Sequence, residues 1–210
     1  MKNIDFIYNR HSVRKFKEQD IPMEDLIEIL RAATYCASAK NVQNWHFVVV
    51  KNKEKIETLA KAIEEKNSEI ANKLDETMKK SFTKFLRFAT FFKNAPVTIF
   101  VYASSYTPTG LEELKEISGY EQEINHLLQM SPQMQNIGAL IQNLSLAATE
   151  MGYGSCWMTS GNYAAKEISD IVEFTKEGFS LAAIVPIGVP EPPIKSPGRK
   201  QIEDVMSIIE

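Results

Sequence analysis

Near its start the chain reads Arg10-His11-Ser12-Val13-Arg14. Two guanidiniums flanking a hydroxyl can offer bidentate, charge-assisted hydrogen bonds to one phosphate, so these residue types at this spacing describe an anion clamp. Arg199 and Lys200, at the far end of the chain, can return further positive charge to it. Taken alone, the cluster equally describes a solvated basic turn after a short helix.

Two other stretches carry usable groups. In Ala37-Ser38-Ala39-Lys40-Asn41-Val42-Gln43-Asn44-Trp45 the side chains of Ser38, Asn41 and Gln43 can bond a polyol or the edge of a heterocycle, although turns favour the same residues. Gly152-Tyr153-Gly154-Ser155-Cys156-Trp157 leads into Thr159-Ser160-Gly161, where small residues let a backbone approach a flat ligand closely. Gly-Ser-Cys-Trp resembles the nucleophile segment of papain-like proteases. That reading fails because no histidine follows His126 and only 54 residues remain after Cys156. The expectation is a buried thiol beside a core tryptophan. Cys36 and Cys156 are predicted as free thiols, and the scattered His11, His46 and His126 give no metal-ligand spacing.

Elements must position these groups. Apolar residues at Met23, Leu26, Ile27, Leu30 and Ala33 predict an amphipathic helix over 22–33, ending near Tyr35. His46–Val50 predicts a buried strand, 51–65 a helix, and Val97–Ala103 a central strand. Between them, Phe82, Phe85, Phe88, Phe91 and Phe92 suggest an aromatic stripe on a helix, read as core packing in preference to a substrate lid. A charged, peripheral helix broken at Gly119 is expected over 111–130. Ser131-Pro132 predicts an N-cap and first-turn proline for the strongest helix of the chain, which Gly152 stops. A short strand at 153–158, a helix at 164–174, a buried strand at 181–189, an extended proline-rich tail at 190–198 and an amphipathic turn at 202–209 complete the reading.

The 210 residues carry 24 Lys and Arg against 27 Asp and Glu, a net charge of -3, so any anion site is local and no global surplus points to nucleic acid or an anionic membrane. No apolar run has signal-peptide or membrane-span length, which places the expected location in the cytoplasm. Neither G-x-G-x-x-G nor G-x-x-x-x-G-K-[ST] occurs. With helices outnumbering strands and no regular βαβ alternation, the expectation is one α+β domain over residues 1–210.

In order and spacing, Arg10-His11-Ser12-Val13-Arg14-Lys15-Phe16, Ser38 through Trp45, Gln142-Asn143-Leu144-Ser145-Leu146-Ala147-Ala148 leading into Gly152-Tyr153-Gly154-Ser155, and Gly188 through Arg199 resemble the nitroreductase family of flavin enzymes. The resemblance spans nearly the whole chain. It implies a mostly antiparallel central sheet flanked by helices, in an intertwined homodimer that binds non-covalent FMN tightly at two subunit-interface sites. Arg10, Ser12, Arg14 and Arg199 would grip the FMN phosphate, with His11 beside it through backbone and ring. Ala37, Ser38, Ala39 and Asn41 would belong to the loop that the second subunit lays against the flavin, and Thr159, Ser160 and Gly161 would border its reactive side. The implied reaction is ping-pong: NADH or NADPH passes a hydride to flavin N5, and an electron-poor small molecule such as a nitroaromatic or quinone takes the electrons. No side chain is nominated as acid or base. The chain departs from the family pattern at Ala37 and Asn44, often proline, and at Thr159-Ser160, often an acidic or glycine pair. Alternatives are a flavin store or sensor without turnover, or flavin fragmentation or dehalogenation on the same fold.

Overall fold

The computed structural model describes residues 4–192 and 197–209. Four strands, β1 (Trp45–Val50), β2 (Val97–Ser104), β3 (Gly154–Ser155) and β4 (Phe179–Gly188), form one antiparallel sheet in the order β1-β2-β4-β3. Helices α1 (Asp5–Asn9), α2 (Met23–Thr34), α3 (Lys53–Ala71), α4 (Glu76–Lys84), α5 (Leu86–Thr90), α6 (Leu111–Lys115), α7 (Glu121–Met130), α8 (Pro132–Glu150) and α9 (Ala165–Ile171) surround it.

Strand side chains alternate between faces, so the apolar run Ile99–Ala103 of β2 feeds two cores at once. Ile99 and Val101 join Val185 and Ile187 of β4 against α2 and α8, through Leu26, Ile29, Ile137, Leu140, Ile141 and Leu144. Phe100, Tyr102 and Ile184 face the other way, onto Ile56, Leu59 and Ile63 of α3, Phe92 and Ile168 of α9. Each such fully buried aliphatic contributes about 1.5–3 kcal/mol of transfer free energy.

Several expectations change. β1 is an edge strand in which only Val50 is buried, not a buried strand. A β-branched run marks a strand without saying how many neighbours it has. The 51–65 helix runs to Ala71, because its inward face continues through Asn67, a buried polar residue bonded to the Tyr163 hydroxyl at 3.1 Å. The phenylalanines form no single stripe: α4 and α5 are separate, Phe92 is fully buried, and Phe85 and Phe88 are exposed. Ser131 is no side-chain N-cap. It turns the chain between α7 and α8 at φ 44°, and its carbonyl, not its hydroxyl, accepts from Met134 N at 2.9 Å and Gln135 N at 3.2 Å. Gly152, at φ +83°, does end α8. Of the proline-rich tail, residues 193–196 lie outside the described residues, and beyond them one turn, Ile202–Val205, stands exposed with no face packed on the protomer.

Candidate active site

The N-terminal segment is stitched to the β3 edge of the sheet. Val13 N donates to Ser155 O at 2.9 Å, Lys17 N donates to Val189 O at 2.9 Å, and Glu191 N donates to Lys15 O at 3.1 Å. Val13 and Phe16 are buried and pin the segment from beneath, while Arg14 stays exposed. Gly154 makes this approach possible. A Cβ there would sit 2.5 Å from Val13 Cγ2 and 2.7 Å from Val13 Cβ, so the segment lies in the space that the missing side chain leaves.

The clamp residues then sort by position. Arg10, where the chain leaves α1 in an extended conformation, and Arg199 line one cavity of about 520 Å³ together with Ile7, Tyr8, Gln142, Pro197 and Gly198. Among the described residues no carboxylate lines that cavity. Two guanidiniums 189 positions apart in sequence thus share an opening with apolar and amide walls, the donor set that a phosphate monoester fits. Its tail side rests on the Arg199 guanidinium, which donates to Pro197 O at 2.6 Å. Arg14 Nη1 lies 3.5 Å from Ser12 O, and His11 lines a neighbouring cavity of about 220 Å³ with Tyr153 and Gly154. Cys156 sits against the same cluster: burial pushes its thiol up, while the Arg14 charge, the Ser12 hydroxyl and the Arg10 charge act the other way. Its neighbour Trp157 is 44% exposed, so the expected core tryptophan is a surface one whose ring covers Gly138 of α8.

The polar loop at 37–44 lies elsewhere, at the N-terminal end of α8. Its backbone is bent by Lys40, Asn41 and Gln43 at positive φ, and a ladder of amides holds it there. Ala39 N donates to Asn136 Oδ1 at 3.0 Å, Asn136 Nδ2 donates to Asn44 Oδ1 at 2.9 Å, and Asn44 Nδ2 donates to Ser104 O at 2.9 Å. Ser38 Oγ accepts from Gln43 N at 3.3 Å and Asn41 N donates to Ser38 O at 2.9 Å, while Ala37 and the Asn41 side chain are exposed. Asn44 and Asn136 are buried, and reasoning from sequence did not single out this pairing. A signal existed: Asn136 sits one turn before Leu140 on the apolar stripe of α8, where a polar side chain must find a partner. Asn136→Leu is therefore expected to orphan Ala39 N and Asn44 Oδ1 at about 1–3 kcal/mol for each. A lowered urea midpoint together with faster proteolysis within 37–44 would register it.

Thr159-Ser160-Gly161 lies on the opposite face of the sheet from that loop. Met158 bridges Ile184, Ser160 Oγ donates to Phe88 O at 2.8 Å, and a Cβ on Gly161 would meet Ile63 Cδ1 at 2.9 Å. Gly161 is buried in packing against α3 and α5, which leaves Thr159 and Ser160 as the exposed members of the turn. One protomer thus brings Arg10 and Arg199 to one cavity, with His11, Ser12 and Arg14 following on the same segment, and among the described residues no hydrogen bond joins 37–41 to 159–161. Between α2 and the turn before β3, the Tyr153 hydroxyl donates to Asp25 Oδ2. That bond to a carboxylate is the main cause that pushes the Tyr153 hydroxyl up to about 12.

Residues 7–189, which include the whole of the sheet and nearly all of both helical layers, match the model of the nitroreductase family. The chain belongs to the nitroreductase family. Among solved members of this fold, a BluB-like flavoprotein from Clostridium difficile 630 is 41% identical and superposes with a TM-score of 0.92 over the whole of both chains. A nitroreductase with bound FMN from Desulfitobacterium hafniense DCB-2 shares the fold at 24% identity and a TM-score of 0.71, again over both whole chains. A Methanothermobacter thermautotrophicus relative that carries NADH dehydrogenase/NAD(P)H nitroreductase in its name is 27% identical over 210 residues, covering 97% of this chain and 84% of that one. The nitroreductase-family chain has its arginine cluster at one sheet edge and its polar loop at one end of α8. Among its described residues, no helix is long and apolar enough to cross a membrane.

Proposed function

We propose that this nitroreductase-family chain is an FMN-dependent oxidoreductase that carries reducing equivalents from NADH or NADPH to an electron-poor small molecule, such as a nitroaromatic or quinone, by a ping-pong course. The observation that carries the reading is the cavity shared by Arg10 and Arg199, basic and, among the described residues, lined by no carboxylate. Family membership and the FMN-bound neighbour support FMN as the ligand of that donor set.

In this reading Arg10, Ser12, Arg14 and Arg199 hold the phosphate, with His11 alongside. FMN, when bound, supplies hydride acceptance and donation at N5, which no side chain of the chain can supply. Thr159, Ser160 and Gly161 border the ring from one subunit, and Ala37, Ser38, Ala39 and Asn41 of the partner subunit close it from the other. The placement of these two stretches on opposite faces of one sheet supports a homodimer, since a second copy supplies what one protomer keeps apart. So do the exposed apolar side chains of the tail, Ile202, Val205 and Ile208, which are 60, 61 and 73% exposed. The unit is one domain over residues 1–210, placed in the cytoplasm. With a nitro acceptor the balance is ArNO2 + NAD(P)H + H+ giving ArNO + NAD(P)+ + H2O, with two electrons passing from the nicotinamide and the proton coming from solvent.

Reconstitution with excess FMN, desalting and anaerobic stopped-flow mixing with NADH and NADPH test this. Retained flavin absorbance that bleaches on a catalytic timescale and returns with acceptor is the expected result. A colourless protein after desalting overturns the cofactor assignment, and bound flavin that neither nicotinamide bleaches favours a store or sensor.

A further inference from the structure

The α4–α5 segment is a surface with unmatched chemistry. Its two helices carry Lys79, Lys80, Lys84 and Arg87 against the single acid Glu76. Phe85 and Phe88 are 54 and 38% exposed, with ring centroids 6.2 Å apart. Lys84 Nζ lies 5.8 Å from the Phe85 centroid and Arg87 Cζ 4.7 Å from the Phe88 centroid. Among the described residues neither cation forms an ion pair, in contrast to Lys66, Lys73 and Lys93 on or beside α3, which do.

Position gives this surface its meaning. Ser160 Oγ donates to the carbonyl of Phe88 at 2.8 Å, and Ala89 and Thr90 beneath are buried, so α5 is fastened to the Thr159–Gly161 turn. The short helix that this turn holds carries the Phe88 ring with its guanidinium, and the Phe85 ring with its ammonium stands 6.2 Å from it. Flat aromatic occupants gain offset or edge contacts with such rings, and a guanidinium held on an aromatic face keeps its outer N–H groups for a carboxylate. A neutral aromatic would use only the rings.

We propose that this face is the acceptor-recognition wall of the site and that it selects planar aromatic acceptors bearing a carboxylate over their neutral counterparts, with Arg87 and Lys84 as the specificity-determining residues. The inference rests on the reading of Thr159–Gly161 as the turn that borders the flavin. Charge complementarity decides the occupant: the face is cationic and lacks its counter-charge.

The test is calorimetric titration of the FMN-loaded protein, without reductant, with 4-nitrobenzoate and with methyl 4-nitrobenzoate. The comparison uses the wild type, Lys84→Gln, Arg87→Gln and the double variant, all at exposed positions. Loss of one charge-assisted bond corresponds to about tenfold in affinity or more. The expected result is an acid preference of at least about tenfold in the wild type, reduced in each single variant and erased in the double variant, with the acid-to-ester ratio of kcat/KM following it. Equal affinity for acid and ester in the wild type, or a preference that survives in the double variant, overturns the proposal. So does a double variant that loosens the dimer in sedimentation while the preference stands, which would make the face a subunit contact. Turnover of the ester and of a neutral quinone without acid preference would sink this inference alone, whereas failure to bind FMN or to bleach would sink the underlying reading.

Discussion

With Arg10 and Arg14 both replaced by alanine, the protein is expected to fold as before and to lose FMN on desalting. Charge-assisted hydrogen bonds to phosphate are worth roughly 1.5–3 kcal/mol each, so removing two weakens binding by at least about tenfold even after partial compensation. Neither side chain is part of either core: Arg14 is exposed, and Arg10 lines an open cavity with Arg199. Stability should therefore follow the wild type in thermal unfolding, while a fluorescence titration of FMN shows the loss. Unchanged affinity in a folded double variant would refute the clamp. Arg199→Ala is expected to give a smaller, separate decrement, since one guanidinium would remain in the shared cavity and another beside Ser12.

The second large effect is steric. Gly154→Ala inserts a methyl into space held by Val13, 2.5 Å from Cγ2, 2.7 Å from Cβ and 3.0 Å from Cγ1. Val13 Cβ is attached to the backbone, so rotation of the side chain cannot clear the contact and the segment must move off β3. That movement breaks the Val13 N to Ser155 O bond and carries Arg10 through Arg14 with it. Overpacking of this kind costs about 1–3 kcal/mol. A lower melting temperature and weaker FMN binding are expected together in one variant, which separates it from the arginine pair, where only binding falls. Gly198→Ala, with nothing among the described residues within 4 Å of its Cβ position and no positive φ, is the matched control and should leave the melting temperature unchanged. A Gly154→Ala protein as stable as the wild type would mean that the segment is not seated where the structure puts it.

How far the sequence could be read depended on the range of the interaction. Helical periodicity located α2 and α8 within a residue or two, and the largely apolar run of β2 announced a central strand, because both signals come from a side chain's own neighbours in the chain. Ser131 misled for the same reason. Its type favours a cap, but the turn from α7 demanded a left-handed backbone there, and the tertiary path overrode the local preference. The phenylalanines between 82 and 92 shared a spacing and not a fate, since burial of Phe92 and exposure of Phe85 and Phe88 follow from where α5 is fastened to Ser160.

The candidate site divides in the same way. Residue order alone was enough to identify the nitroreductase family and an α+β fold, because a clamp, a polar loop and a small-residue turn in fixed order form a linear pattern. What each stretch is able to bond was legible as well: guanidiniums suit an anion whatever surrounds them. Only the tertiary structure could bring Arg10 and Arg199 to one cavity, seat Val13 in the space left at Gly154, and match the buried amide of Asn136 to Asn44. Each of these joins residues from 92 to 189 positions apart, or depends on a steric fit of tenths of an ångström. Neither leaves a trace in composition or periodicity, since a side chain's type records what it can bond and only the packed chain determines which partner it meets.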